Sequence, residues 1–240
     1  MPPVTLTRAQ SRKVDQLAME SYGICGLVLM ENAGRGTTDC LCRLLGVSHE
    51  ATESASAGDA PAKVVICCGK GNNAGDGFVV ARHLELRGID ARVLLWAEPE
   101  ELTGDAATNF EILRKTDVPI EIFGARYDAG RLAGQLAGAA WIVDALLGTG
   151  ARGEPRPPFD AVIDQLNAAG TPILAVDLPS GLDCDTGQPS GHTIRAEVTC
   201  TFMAAKTGLL AEGAERYVGK LHVLDIGAPR KLISEALTRE

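Results

Sequence analysis

The chain has 240 residues, 45% hydrophobic and 22% charged. That is ample material for the core of one domain and excludes a disordered tail. The formal charge of −8 gives a surface that repels nucleic acid and anionic lipid, leaving room only for a local basic pocket.

No secretory leader is expected. Pro2-Pro3-Val4-Thr5-Leu6 runs straight into charged residues. Thr7-Arg8-Ala9-Gln10 has the pattern of a capping box and predicts a helix with Val14, Leu17, Ala18 and Tyr22 on its apolar face, ended by Gly23. A second helix carries Met30, Ala33, Gly34, Thr37, Leu41, Leu44 and Leu45 on one stripe and closes at Gly46. Residues 47–61, rich in Ser, Ala, Glu and Gly, read as a surface connection. Val64-Val65-Ile66-Cys67-Cys68 is a continuous apolar run, as in a strand buried on both faces. A glycine-rich turn and a helix over about residues 77–87 follow, then a strand over 91–96. Further helices are predicted at 108–115, 128–136 and 159–169, and strands at 120–123, 140–147, 171–178, 198–203 and 221–226.

Alternating strands and helices predict a mostly parallel, doubly wound sheet in a three-layer α/β/α sandwich, with the two leading helices over part of it. Residues 1–240 form one domain without internal repeats. The seven cysteines lack finger-like spacing and read as reduced, core or near-core residues of a cytoplasmic protein. The longest uncharged stretches run about a dozen residues, too short for a bilayer, so a soluble protein is expected.

Open parallel sheets bind ligands at the carboxyl ends of their strands. Three polar clusters fall there: residues 69–77 (GKGNNAGDG), 144–154 (DALLGTGARGE) and 177–183 (DLPSGLD). The glycines at 69, 71, 75 and 77 suit a tight strand-to-helix turn or a phosphate cradle at a helix start. Their spacing is neither G-x-G-x-x-G nor a P-loop. Asn72 and Asn73 add amide groups that a plain turn does not need, and Asp76 suits an N-cap, a ligand contact or both. Asp144 and Asp177 each end an apolar strand, as turn caps or as carboxyls whose pKa burial can raise. Ser180 has no histidine context for a nucleophile and reads as an oxygen ligand or hydrogen-bond donor. Asn73, Asp144 and Ser180 could share one hard cation.

Residues 69–77 with Phe78-Val79-Val80-Ala81-Arg82-His83-Leu84 closely resemble the signature of the NAD(P)H-hydrate epimerase family, also called the YjeF N-terminal domain family. Four more segments match in the family's order: residues 30–34 (MENAG), 143–150 (VDALLGTG), 176–183 (VDLPSGLD) and 201–209 (TFMAAKTGL). The resemblance implies a Rossmann-like sandwich that interconverts the R and S forms of hydrated NADH or NADPH (NADHX, NADPHX), which carry a hydroxyl at C6 of the nicotinamide ring. It implies work beside a separate dehydratase, with no dehydratase domain in this chain, and a homodimer. It implies a potassium ion held by Asn73, Asp144 and Ser180. Substrate contacts would come from Asn72, Asn73, Ala74, Gly75, Asp76, Gly148, Thr149, Gly150, Ala151, Arg152, Gly153, Glu154 and Asp177. Ala74 stands where the family more often has glycine, and a positive φ there would cost roughly 1 kcal/mol.

Epimerisation can proceed by protonating the hydroxyl, losing water to a cation stabilised by the ring nitrogen, and returning water to the other face. Asp177 is the expected acid/base. Lys206 reads as a phosphate contact, a proton-transfer partner or a solvated lysine. Two other functions fit the fold: a non-catalytic binding module, and a dinucleotide dehydrogenase with Glu98 on the ribose. The complete polar set disfavours the first and the glycine spacing the second.

Overall fold

A computed structural model describes residues 4–47 and 62–238. Most of the expected surface connection, residues 48–61, lies outside the described residues. Seven strands form one parallel sheet: β2 (Lys63–Cys68), β3 (Asp90–Leu95), β4 (Ile120–Ile122), β5 (Ala139–Ala145), β6 (Ile173–Val176), β7 (Val198–Phe202) and β9 (Lys220–Leu224), in the order β4-β3-β2-β5-β6-β7-β9. The chain winds outward in both directions from β2 and β5. A crevice therefore opens at their carboxyl ends, the topological switch point. β1 (Thr5–Leu6) and β8 (Ala205–Lys206) pair in parallel, Leu6 opposite Lys206.

Alternate residues of each strand face opposite layers. Val64, Ile66 and Cys68 of β2 and Val143 and Ala145 of β5 enter a core with α1 (Arg8–Glu20), α2 (Gly26–Leu44), α3 (Asn72–Glu85) and α4 (Gly104–Leu113). Val65 and Cys67 of β2 and Ile142 of β5 face the other way, against α5 (Ala129–Leu136) and α6 (Phe159–Ala168). The expected three layers are present. α7 (Glu215–Val218) and α8 (Arg230–Thr238) complete the described elements.

The capping box of α1 forms: the Thr7 side chain accepts from the Gln10 N–H, and the Gln10 side chain accepts from the Thr7 N–H. At the other end Gly23 turns with φ +66, and Ile24 N–H reaches the Ala18 carbonyl. Tyr22 lies just beyond the helix, partly buried, and Leu44 is exposed rather than on the buried stripe of α2. Helix α4 starts four residues before the expected boundary, and the short β1–β8 pair and α8 have no counterpart in the sequence expectation. Cys25 is exposed, and the other six cysteines are buried. No described helix is long and apolar enough to cross a membrane.

Candidate active site

A cavity of about 680 Å³ opens at the switch point. Its walls come from α1, α2, the start of α3, the loop after β5, the end of β6 and β8. The three polar clusters thus reach one edge of the sheet, although not every residue in them faces the cavity.

Only residues 69–71 of the first cluster form the strand-to-helix turn. Helix α3 begins at Asn72, five residues before the expected start. Its N-cap is Gly71, which supplies no side chain, so the first N–H groups of the helix are left for another partner. The glycines divide by role. Gly71 has open space where a Cβ would project, and it lines the cavity. Gly75 packs inside the helix, with a Cβ position 2.5 Å from Met30 Sδ and 3.0 Å from Ala106 Cα. Gly77 lets α3 settle on the sheet, since a Cβ there would lie 2.8 Å from Cys68 Sγ and 2.9 Å from Ala145 Cβ. Ala74 is helical and fully buried, so no positive φ arises there. Ala74 and Gly75 therefore face protein, while Asn72, Asn73 and Asp76 line the cavity. Asp76 sits in the helix and is not its N-cap.

Asp177 stands just past β6 with φ +66, and Leu178 N–H bonds back to the Val176 carbonyl at 2.8 Å. This is a positive-φ γ-turn, rare and strained. Met203 past β7 repeats it, with φ +67 and Ala204 N–H on the Phe202 carbonyl. The kink places Asp177 on the cavity wall, and its Oδ1 accepts from Lys206 Nζ at 2.5 Å and Thr201 Oγ1 at 3.3 Å. Lys206 is only 2% exposed and also donates to Thr201 Oγ1 and the Phe202 carbonyl. Both the solvated lysine and the phosphate contact give way to a buried counter-ion of Asp177. Asp177 accordingly leaves its strand into an ion pair, not into apolar surroundings.

Asp144 and Ser180 are fully buried behind the loop after β5. Ser180 donates its N–H to Asp144 Oδ2 at 2.8 Å and its hydroxyl to Oδ1 at 2.7 Å. Leu147 N–H donates to Ser180 Oγ at 2.9 Å. Burial pushes the Asp144 carboxyl up to about 6, against the lowering effect of the hydrogen bonds from Ser180 and Leu146. Asn73 is 6% exposed, and neither its Oδ1 nor its Nδ2 has a partner. Gly148 packs on it, its Cβ position 3.1 Å from Asn73 Cβ.

Gly148, Thr149, Gly150 and Ala151 line the cavity. Gly153 and Glu154 face a smaller neighbouring cavity of about 180 Å³, where Glu154 accepts from Gly191 N–H, and Arg152 is exposed. Glu98 belongs to neither cavity and caps the 3-10 turn Pro99–Glu101.

Helix α1 contributes residues that the sequence reading left out. Ser11 and Asp15 line the cavity from successive turns, and the buried Ser11 hydroxyl has no partner. Burial, reinforced by Asp177 and opposed by Lys206, raises the Asp15 carboxyl to about 6. Burial with Asp177 and then Asp15 pushes Asp76 well above the ordinary carboxylate range, Lys206 again opposing. A polar pair at i and i+4 on the inner side of an amphipathic helix was the available signal. Arg8, 4% exposed, ties α1 to two loops by donating to the Ala151 carbonyl at 2.8 Å and Asp183 Oδ2 at 3.1 Å.

The YjeF-related protein N-terminus family matches residues 26–208. The NAD(P)H-hydrate epimerase of Pirellula staleyi is 43% identical over 95% of this chain and 94% of its own length. That of Rhodopirellula baltica is 40% identical over 98% and 88%. The bifunctional NAD(P)H-hydrate repair enzyme Nnr of Moorella thermoacetica is 41% identical over 95% of this chain but only 41% of its own length. The crystal structure of yeast YNL200c shares the fold, with a TM-score of 0.78 and 24% identity over 97% of this chain and 93% of the yeast chain. By the extent of the family match and the identity of these relatives over nearly its whole length, the chain belongs to the YjeF-related protein N-terminus family.

Proposed function

We propose that this chain is an NAD(P)H-hydrate epimerase, an isomerase that interconverts the R and S forms of hydrated NADH or NADPH. The observation that carries the reading is the switch-point cavity. It joins an uncapped helix start to a buried Asp177–Lys206 pair in a chain about 40% identical to named epimerases. The free N–H groups at the start of α3, with Asn72 beside them, suit the pyrophosphate of a dinucleotide. The loop Gly148–Ala151 borders the same space.

The hydrated ring is a hemiaminal. When the C6 hydroxyl is protonated and leaves as water, the nitrogen lone pair forms a C=N⁺ bond. Water returning to the opposite face inverts C6 and gives up a proton. The hydrogen bonds from Lys206 and Thr201 that hold Asp177 on the cavity wall support it as the group that exchanges that proton.

The donor set fits a potassium ion. Asn73 has a buried amide without partners, and the Asp144 and Ser180 oxygens are clustered. A hard monovalent cation there would complete Asn73, offset the buried Asp144 charge and brace the loop after β5. The product passes to a dehydratase, an activity that the longer bifunctional relatives are consistent with carrying alongside this domain. Chromatography that separates the epimers, run on purified chain, tests the reading. Interconversion faster than in the protein-free sample, and faster in potassium than in sodium, is expected. Equal rates with and without protein would refute it.

A further inference from the structure

Lys206 is the ammonium that faces three carboxylates in the cavity: Asp15 from α1, Asp76 from α3 and Asp177 from the end of β6. Its short bond goes to Asp177. Among the described residues, the side chains of Asp15 and Asp76 make no hydrogen bond or ion pair. Of the other charged groups on the wall, Arg12 is exposed, Lys70 pairs with Glu101 at 3.0 Å, and Asp105 adds negative charge. Three ionised carboxylates against one buried ammonium would leave uncompensated charge out of bulk water, which is costly enough that a group takes a proton instead. Asp76 is partly enclosed on the cavity wall, and burial with its two acidic neighbours favours its neutral form. The buried, unpartnered Ser11 hydroxyl on the same wall marks this end as one that expects a ligand.

We propose that Asp76 is the proton donor of the epimerisation and that Asp177 is the proton acceptor. The assignment rests on the epimerase reading. Asp76 transfers its proton to the C6 hydroxyl, the C6–O bond breaks, and water departs as the ring nitrogen forms the C=N⁺ bond. Water then bonds to C6 from the opposite face, the π pair returns to nitrogen, and the Asp177 carboxylate takes the surplus proton. Each inversion moves one proton from Asp76 to Asp177. The reverse inversion runs with the roles exchanged, so one constellation serves both epimers.

Asp76→Asn tests this. The amide copies the shape and neutrality of the protonated acid but has no proton to give. Turnover of a single epimer is expected to fall roughly 100- to 10,000-fold, while NADP binding and Tm stay close to wild type. Asp76→Ser, smaller and also neutral, is expected to lose turnover in the same way and to regain part of it with added formate. A purely structural Asp76 would move Tm and leave turnover of the folded protein alone. Either variant, folded and turning over within about threefold of wild type, overturns the assignment, as does Asp76→Ser that formate fails to rescue. Wild-type protein that does not interconvert the epimers would instead sink the epimerase reading itself.

Discussion

Asp15 is an acid whose proton is held more tightly in the fold than in the open chain, about 6 against 3.8. The sign of its effect on stability follows. Below about pH 4 both states are protonated and nothing is lost. As pH rises toward 6 the unfolded chain releases the proton first, so the folded state loses stability, and the loss is complete above 6. Asp15→Asn escapes this penalty. Its Tm advantage over wild type is expected to grow from about pH 4 to pH 7, and a gap independent of pH would show that Asp15 is well solvated. The Asp177–Lys206 pair behaves differently. Asp177→Asn removes the short ion-pair partner of a buried ammonium, and breaking comparable pairs costs about 3–5 kcal/mol. Adding Lys206→Met should recover much of that stability in urea titrations without restoring turnover. A double variant no more stable than the single would mean that Lys206 does not depend on Asp177.

Helix α3 shows what a sequence can and cannot express about an element. Its amino-terminal residues contain Gly75 and Gly77, and glycine is a poor helix former, so local reasoning places a turn where the helix has already started. Tertiary packing decides otherwise: Met30, Ala106, Cys68 and Ala145 approach so closely that only glycine fits. Gly75→Val should therefore overpack the α2–α3–α4 contact and destabilise the fold by about 1–3 kcal/mol. Gly71→Ala, with open space around it, should change stability by under about 1 kcal/mol and weaken NADP binding. A stable Gly75→Val paired with an unaffected Gly71→Ala would return Gly75 to the role of phosphate cradle. The strands were easier to read. The apolar runs ending at Cys68, Val143 and Val176 are continuous because both sheet faces are covered. The strand-end aspartates could be named for the same reason. The γ-turn that kinks Asp177, the pairing of the Lys206 strand with β1 and the approach of Asp15 from α1 depend on contacts distant in sequence, which no local pattern carries.

At the scale of the whole molecule, the reversal of strand order between β2 and β5 brings the glycine segment and the loop after β5 to one crevice. The amino-terminal residues 5–20 lie before the family match, yet they close the cavity: β1 backs Lys206, Arg8 holds the Ala151 loop, and Ser11 and Asp15 form a wall. The fold thus assembles a cavity of about 680 Å³ with Asp15, Asp76, Asp177 and Lys206 on its wall. The central claim is that this chain inverts C6 by loss and return of water. One pure epimer incubated with the purified protein in ¹⁸O-water, with products separated by chiral chromatography and weighed by mass spectrometry, addresses it directly. The account predicts inversion well above the protein-free rate, with solvent oxygen in the inverted product. Inversion no faster than without protein, or inverted product that keeps its original oxygen, would contradict it.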